Sequence, residues 1–418
     1  MIHVRIKSVV RNVVQKSDGA STPFLGLEDI ESGTGRLLVK ELPLKAAEDS
    51  ICHESGDVLF SKLRPYLAKS YLPHATGTGT GELLVLRPSV EVDANFLLYV
   101  TLSSPWVEWA STTAYGTKMP RTSWELVGDY RTWLPPLEEQ RRIADFLDAE
   151  TARIDRLAQL RSRSLDLLSE RAVAHVDSAV RGGSTDQTRQ AEYSPLGQIP
   201  AHWREGRLRS VDCDVQTGPF GSQLHAEDYI ADGWPVINPA NITPSGLVAD
   251  GHVTVSSETR KRLARHILQA GDVVFGRRGE LGRAGVVSTE QVGWVCGTGS
   301  LRVRFRENAF HSGYLRRYLT IPAVRHYFQL HAIGSTMANL NSSILLNMPL
   351  LIPEIRDQVS IAAACDEIEK QAARRTALVK RQLVLLSERR QSLITAAVTG
   401  QFDVSTASGR NVTDGVTA

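Results

Sequence analysis

Leu167-Leu168-Ser169-Glu170-Arg171 recurs as Leu385-Leu386-Ser387-Glu388-Arg389, 218 residues further along the chain. Worked outward, the match runs without a gap from 135–182 to 353–400 and holds at 17 of 48 positions, among them Pro135/Pro353, Gln140/Gln358, Ile143/Ile361, Ala144/Ala362, Asp148/Asp366 and Gly182/Gly400. Such a period is far longer than that of a solenoid. It marks a tandem duplication of one large unit, which predicts a pseudo-twofold molecule presenting two similar surfaces.

Each repeat reads as one long helix. Prolines and acids stand in the first turn of Pro135-Pro136-Leu137-Glu138-Glu139-Gln140, where a missing N–H costs nothing and the helix dipole favours negative charge. Glycines at 182 and 400 supply the stops. An apolar stripe at Ile368, Ala372, Val379, Leu386, Leu393 and Ala397 has heptad spacing; its counterpart is Ile154, Leu157, Leu165, Leu168, Ala172 and Ala179. A helix of ~44 residues is roughly 65 Å long. It can pack on its own globular domain or pair with its twin, and pairing as an antiparallel coiled coil is the preferred expectation.

The duplication extends upstream with a growing offset, as insertions into one copy produce. Arg5-Ile6-Lys7-Ser8-Val9 resembles Arg207-Leu208-Arg209-Ser210-Val211, and Gly56-Asp57-Val58-Leu59-Phe60 resembles Gly271-Asp272-Val273-Val274-Phe275. Gly79-Thr80-Gly81 resembles Gly297-Thr298-Gly299, and Gly116 with Met119 resembles Gly334 with Met337. Short apolar runs such as Leu83-Leu84-Val85-Leu86, broken by Gly, Pro and Asn, predict strands; helical stretches at 94–102 and 313–330 make the domains mixed. The fold class expected is α+β: two mixed α/β domains joined by two long helices, with pseudo-twofold symmetry.

Composition bounds the function. A chain of 418 residues exceeds one core. Its net charge is +2, and no apolar run approaches the ~18 residues of a membrane span. Four widely spaced cysteines and eleven scattered histidines give no metal-ligand pattern, and no GxxxxGK[ST] phosphate loop is present. No catalytic residues, metal site or cofactor are therefore expected in this chain, and no Asn/Asp-Pro-Pro-Tyr/Phe methyltransferase tetrapeptide occurs. A cytoplasmic location is expected.

Candidate polyanion contacts cluster near the shared motifs. Gly218, Phe220 and Ser222 lie in a Gly-Pro-Phe-Gly-Ser loop, where glycine lets backbone amides approach a phosphate. Arg277, Arg278 and Arg283 follow a strand, where guanidinium forks reach phosphate or guanine, and Asn339 and Asn341 carry amides suited to adenine. In the first copy the equivalent segment holds Lys62, Arg64, Lys69, Lys118 and Arg121.

The duplicated Pro-x-x-x-x-Gln…Ile-Ala…Asp…Leu-Leu-x-Glu-Arg…Gly helix resembles the conserved region of the DNA specificity (S) subunit of type I restriction–modification systems. Ile199-Pro200-x-x-Trp203, the Gly218 to Ser222 loop, Pro235-Val236-Ile237 with Asn241-Ile242, and Gly271-Asp272-Val273-Val274 are similar to that family's target recognition domains. The resemblance covers residues 1 to 403. It implies target recognition domains at 1–134 and 195–352, spacer helices at 135–183 and 353–402, a linker at 184–194 and a disordered tail at 403–418. It also implies that the chain reads a bipartite, asymmetric site in double-stranded DNA and docks two methyltransferase (M) subunits, with restriction (R) motor subunits as further partners. S-adenosylmethionine, ATP and magnesium would then belong to the partners, and DNA adenine methylation and site-specific cleavage to the assembled complex. Spacer and docking residues would include Gln140, Ile143, Leu168, Glu170, Arg171, Gln358, Ile361, Leu386, Glu388 and Arg389. One departure stands out: the first copy lacks the Ile-Pro-x-x-Trp lead-in and the Pro-Phe-Gly-Ser loop, as a shortened start or a divergent domain would. The rival classes are a self-contained DNA-modifying enzyme with fused recognition domains and a scaffold without DNA affinity.

Overall fold

The computed structural model describes residues 2–46, 49–183, 185, 187–243, 245–277, 282–307, 309–331 and 340–404, with residue 222 described by its backbone alone. The match of Gly334 with Met337 and the tail beyond 404 lie outside them. The chain divides into two units, Met1–Arg163 with Val379–Ala418, and Ser164–Leu378. Two long helices, Leu137–Val180 and Ile355–Val398, each contribute one part to each unit.

In the first unit a four-stranded antiparallel sheet runs in the order Val10–Asn12, Leu83–Pro88, Val58–Ser61, Ser70–Tyr71. A second sheet runs Leu44–Lys45, Thr22–Leu25, Gly77–Gly79, Ile51–His53, its middle pair parallel. His3–Arg5 pairs antiparallel with Arg131–Trp133, just before the first long helix begins.

The second unit repeats this plan. Its antiparallel sheet runs Cys213–Thr217, Ser300–Phe305, Val273–Gly276, Ala284–Val286. Trp234–Ile237 lies parallel to Val295–Cys296, and Arg204–Arg207 pairs with Pro349–Ile352 before the second long helix. The shared Gly-Asp motif has one structural role in both copies. Asp57 accepts the Glu54 N–H (2.8 Å) and takes both arms of Arg87 (2.7 and 2.8 Å); Asp272 accepts the Gln269 N–H (2.7 Å) and takes both arms of Arg304 (2.7 and 2.6 Å). A buried carboxylate closing a turn and gripping the next strand satisfies groups that would otherwise be stranded.

Each helix also enters its unit by the same device. Gln140 is fully buried; its amide donates to the carbonyls of Pro135 and Glu91 (both 2.9 Å) and accepts the N–H of Asp93 (2.8 Å). Gln358 donates to Pro353 (2.9 Å) and accepts from His311 (2.8 Å). At the far ends Gly182 and Gly183 (φ +100° and +61°) and Gly400 (φ +72°) take the left-handed turn that closes a helix, Gly183 N–H reaching back to Ser178 (2.7 Å).

The cores join the helices to the sheets. In the first unit Ile143, Ala144, Leu147 and Ile154 share a core with Leu393, Ile394, Ala397 and Val398, built on Phe60, Phe96 and Trp106. In the second, Val176 and Val180 share one with Ala362 and Cys365, built on Phe275, Tyr314 and Tyr318. Within each unit the start of one helix therefore meets the end of the other, the antiparallel sense expected. All six stripe residues expected on the second helix are buried or half-buried. Leu157 departs from the expected stripe: it is 45 % exposed while Ala158 takes the inner face, because the extra residue in that step rotates Leu157 outward. The stretch expected as one helix at 313–330 is two, Ser312–Tyr318 and Pro322–His331, since Pro322 cannot donate within a helix and starts a new one instead.

Candidate nucleic-acid interface

In the first unit the chain leaves the strand Val58–Ser61 at Lys62 and makes a tight single turn at Pro65–Leu67 before returning. The flanking residues Arg64 and Ala68 are both left-handed (φ +49° and +47°), a costly conformation for residues with a Cβ and one that concentrates at functional sites. A second segment folds against this turn. Arg64 N–H donates to Pro120 (2.8 Å), Thr122 N–H donates to Lys62 (3.0 Å), and Arg121 exchanges backbone bonds with Tyr115 (2.9 Å each way).

Lys62, Arg64, Lys118 and Arg121, 59 positions apart at the extremes, thus come together on one loop cluster. Arg64 and Lys118 are exposed and Lys62 is half-buried. Arg121 is held against Glu82 (Nη2–Oε1 3.0 Å), and that hydrogen-bonded pair raises its pKa. Lys69 departs from expectation: its ammonium donates to the Leu27 carbonyl (2.5 Å) and pins the loop.

Sequence reading missed the aromatic part of this surface. Tyr66 and Tyr115 are 55 % and 63 % exposed, and Met119, four residues after Tyr115, is exposed as well. Exposed rings among cations suit stacking and phosphate contact together. The available signal was their adjacency to Arg64 and Gly116, which carries little information without the fold.

In the second unit the Gly297-Thr298-Gly299 turn gathers the equivalent parts. Gly218 donates its N–H to Ser300 (2.9 Å) and lies so close to the Gly297 carbonyl that a Cβ would sit 1.8 Å from it. This corrects the expectation of a phosphate-facing amide: the glycine is there for backbone packing, and its N–H is spent. Phe220, two residues further on, is exposed. Arg277 N–H bonds Gly299 (2.9 Å), and Leu340 N–H bonds the Arg277 carbonyl (2.9 Å), the counterpart of the Thr122–Lys62 bond. The Arg277 side chain donates to Leu340 (3.1 Å). Asn341 is a helix cap, its side-chain oxygen accepting the Ile344 N–H (2.8 Å), so that oxygen is engaged within the chain. Arg278, Asn339 and the Ser222 side chain lie outside the described residues. Arg283 lines a cavity rather than the turn.

On the helices, Gln140, Ile143 and Gln358 are buried and Ile361, Leu168 and Leu386 half-buried. Glu170, Arg171 and Glu388 are exposed, and Arg389 is half-buried. Among the described residues no group of three or more His, Cys, Asp or Glu side chains is placed to hold a metal ion, and no helix is long and apolar enough to cross a membrane.

No protein-family profile matches the chain. In sequence it is 24 % identical over 187 residues to the specificity subunit of the Escherichia coli type I restriction enzyme EcoDI, covering 44 % of this chain and 42 % of that protein. To the EcoKI specificity subunit of E. coli strain K12 it is 23 % identical over 337 residues, covering 76 % and 68 %. The chain thus matches less than half the length of the first of these relatives. Among solved structures, a chain from a study of complex assembly and conformational transition of the type I R-M system superposes with a TM-score of 0.76 at 21 % identity, covering 96 % of this chain and 98 % of that one. The HsdS subunit from Thermoanaerobacter tengcongensis gives 0.61 at 20 %, covering 96 % and 97 %. By sequence and by fold alike, the chain is similar to the specificity subunits of type I restriction enzymes.

Proposed function

We propose that the chain is the DNA-reading subunit of a type I restriction–modification complex, non-catalytic by itself, that recognises a bipartite and asymmetric site in double-stranded DNA. The observation that carries this is the duplicated plan: the same strand order occurs twice, and the residue that follows the central strand is tied each time by an equivalent backbone bond, Thr122 to Lys62 and Leu340 to Arg277. Two such readers on one polypeptide bind as a tethered pair, each raising the other's effective concentration. Their surfaces differ, with Arg64, Tyr66, Tyr115 and Lys118 in one and Phe220 and Arg277 in the other, so the half-sites differ. The long helices act as the spacer, and their exposed polar residues, Glu170, Arg171 and Glu388 among them, face two methyltransferase subunits, with motor subunits joining for restriction. S-adenosylmethionine, ATP and magnesium are then handled by those partners, in the cytoplasm.

Retention of labelled duplexes by the chain assembled with its methyltransferase tests the reading. Scrambling either half-site should weaken retention by about 1–3 kcal/mol per mismatched pair. Retention independent of sequence would point to a scaffold, and S-adenosylmethionine binding by the isolated chain to a self-contained enzyme.

A further inference from the structure

In the first unit Tyr115 and Arg121 exchange backbone bonds in both directions (2.9 Å each), which closes a hairpin tip of five residues, Gly116 to Pro120. Gly116 takes the left-handed conformation (φ +93°) that so short a tip needs. The stem is braced from its neighbours. Arg121 grips Glu82 through Nε (3.2 Å) and Nη2 (3.0 Å), and the Pro120 carbonyl accepts the Arg64 N–H (2.8 Å). Thr122, itself buried, donates its N–H to Lys62 (3.0 Å). The tip is thus shaped in advance, and little ordering is left for a partner to impose.

Every residue from Tyr115 to Met119 is exposed. A single apolar side chain in water needs no explanation, but Met119 is not isolated. Tyr66 and Tyr115 are exposed as well, on the two segments that the Arg64–Pro120 bond joins. Arg64 and Lys118, on the same two segments, are exposed and make no ion pair among the described residues. Methionine is also rare: the chain has four, and two of them, Met119 and Met337, stand three residues after glycines that match at the 218-residue offset. So scarce a residue does not fall twice on one hairpin position through composition alone. Met337 lies outside the described residues.

Phosphates account for the two cations. They do not account for an unbranched, adaptable thioether held out on a braced tip. Proteins that kink DNA insert apolar side chains, methionine among them, between stacked base pairs. We propose that Met119 is such a wedge: it enters one base step of the half-site read by the first unit, with Lys118 and Arg64 on flanking phosphates. The wedge rests on the DNA reading above and adds a deformation to it. Part of that half-site's specificity then comes from how readily one step opens, without contact to base edges.

A duplex carrying the mapped site, with 2-aminopurine at one position at a time outside the methylated bases, reads the opening by fluorescence when bound by the chain assembled with its methyltransferase. Retention of the duplex is measured in the same samples. The wild type should raise fluorescence several-fold at one step in one half-site. Met119→Ala should lose that rise and Met119→Leu should keep it, both with the assembly intact. Lys118→Ala should lower retention and its salt dependence while the bound fraction keeps the rise. Fluorescence that is the same in the wild type and Met119→Ala at every position, with retention preserved, would sink the wedge alone. Loss of the methyltransferase from the Met119→Ala assembly would assign the tip to protein docking and overturn the wedge as well. Absence of sequence-dependent retention by the wild type would sink the DNA reading and the wedge with it.

Discussion

His311 and Asp93 stand 218 residues apart and cap equivalent helices. Asp93 accepts the N–H groups of Asn95 (3.0 Å) and Phe96 (3.1 Å). His311 accepts the Tyr314 N–H at Nδ1 (3.2 Å), which requires a neutral ring. Burial pushes the His311 pKa below 6.5, against a smaller upward pull from Asp366. A histidine so depressed contributes stability that is fully present above the unfolded value and is lost as pH falls below it toward the folded value. We therefore expect urea unfolding of the second unit to weaken between about pH 7 and pH 5, by roughly the 0.5–2 kcal/mol of a helix cap. His311→Asn, which caps without titrating, should flatten that slope; an unchanged slope would show that the ring does not matter. Arg64→Ala and Lys118→Ala act differently. Each should lower DNA retention at all sequences and reduce the salt slope by about one, as phosphate contacts do, whereas a base-reading role would instead relax specificity at single positions.

At the scale of the element, the long helices hold each unit together rather than merely crossing it. Ile394 is fully buried in the first unit's core with Phe60, Phe96 and Trp106, so Ile394→Ala should cost about 2–5 kcal/mol in a denaturant titration. Leu157→Ala, on the exposed face, should cost less than about 1 kcal/mol; equal losses would contradict the observed stripe. The helices were legible because heptad spacing, terminal glycines and the absence of internal Gly or Pro are local signals. The strand order was not, since pairing between Thr22–Leu25 and Gly77–Gly79 joins residues with no pattern in common. Repetition flagged Gln140 and Gln358, but only the fold shows that they tie helix starts to their own units. Likewise Arg64 and Lys118 were found by residue type, while Tyr66 and Tyr115 were missed because one exposed tyrosine looks like any other until its loop closes. Gly218 and Asn341 were misassigned for the same reason: glycine and asparagine serve backbone geometry as often as ligands.

At the scale of the whole molecule, the proposed function puts two different readers on one chain, joined by repeated helices. If those helices set the spacing, a seven-residue insertion in both, in register with the heptads, should lengthen the unread stretch between half-sites, since seven helical residues add about 10 Å. Half-site sequences should stay as they were. The central claim is tested most directly by mapping methylated bases in a host that expresses this chain with its methyltransferase subunit. The account predicts modification at an interrupted site with two unlike halves. Modification at a continuous palindrome, or with no sequence preference, would contradict it.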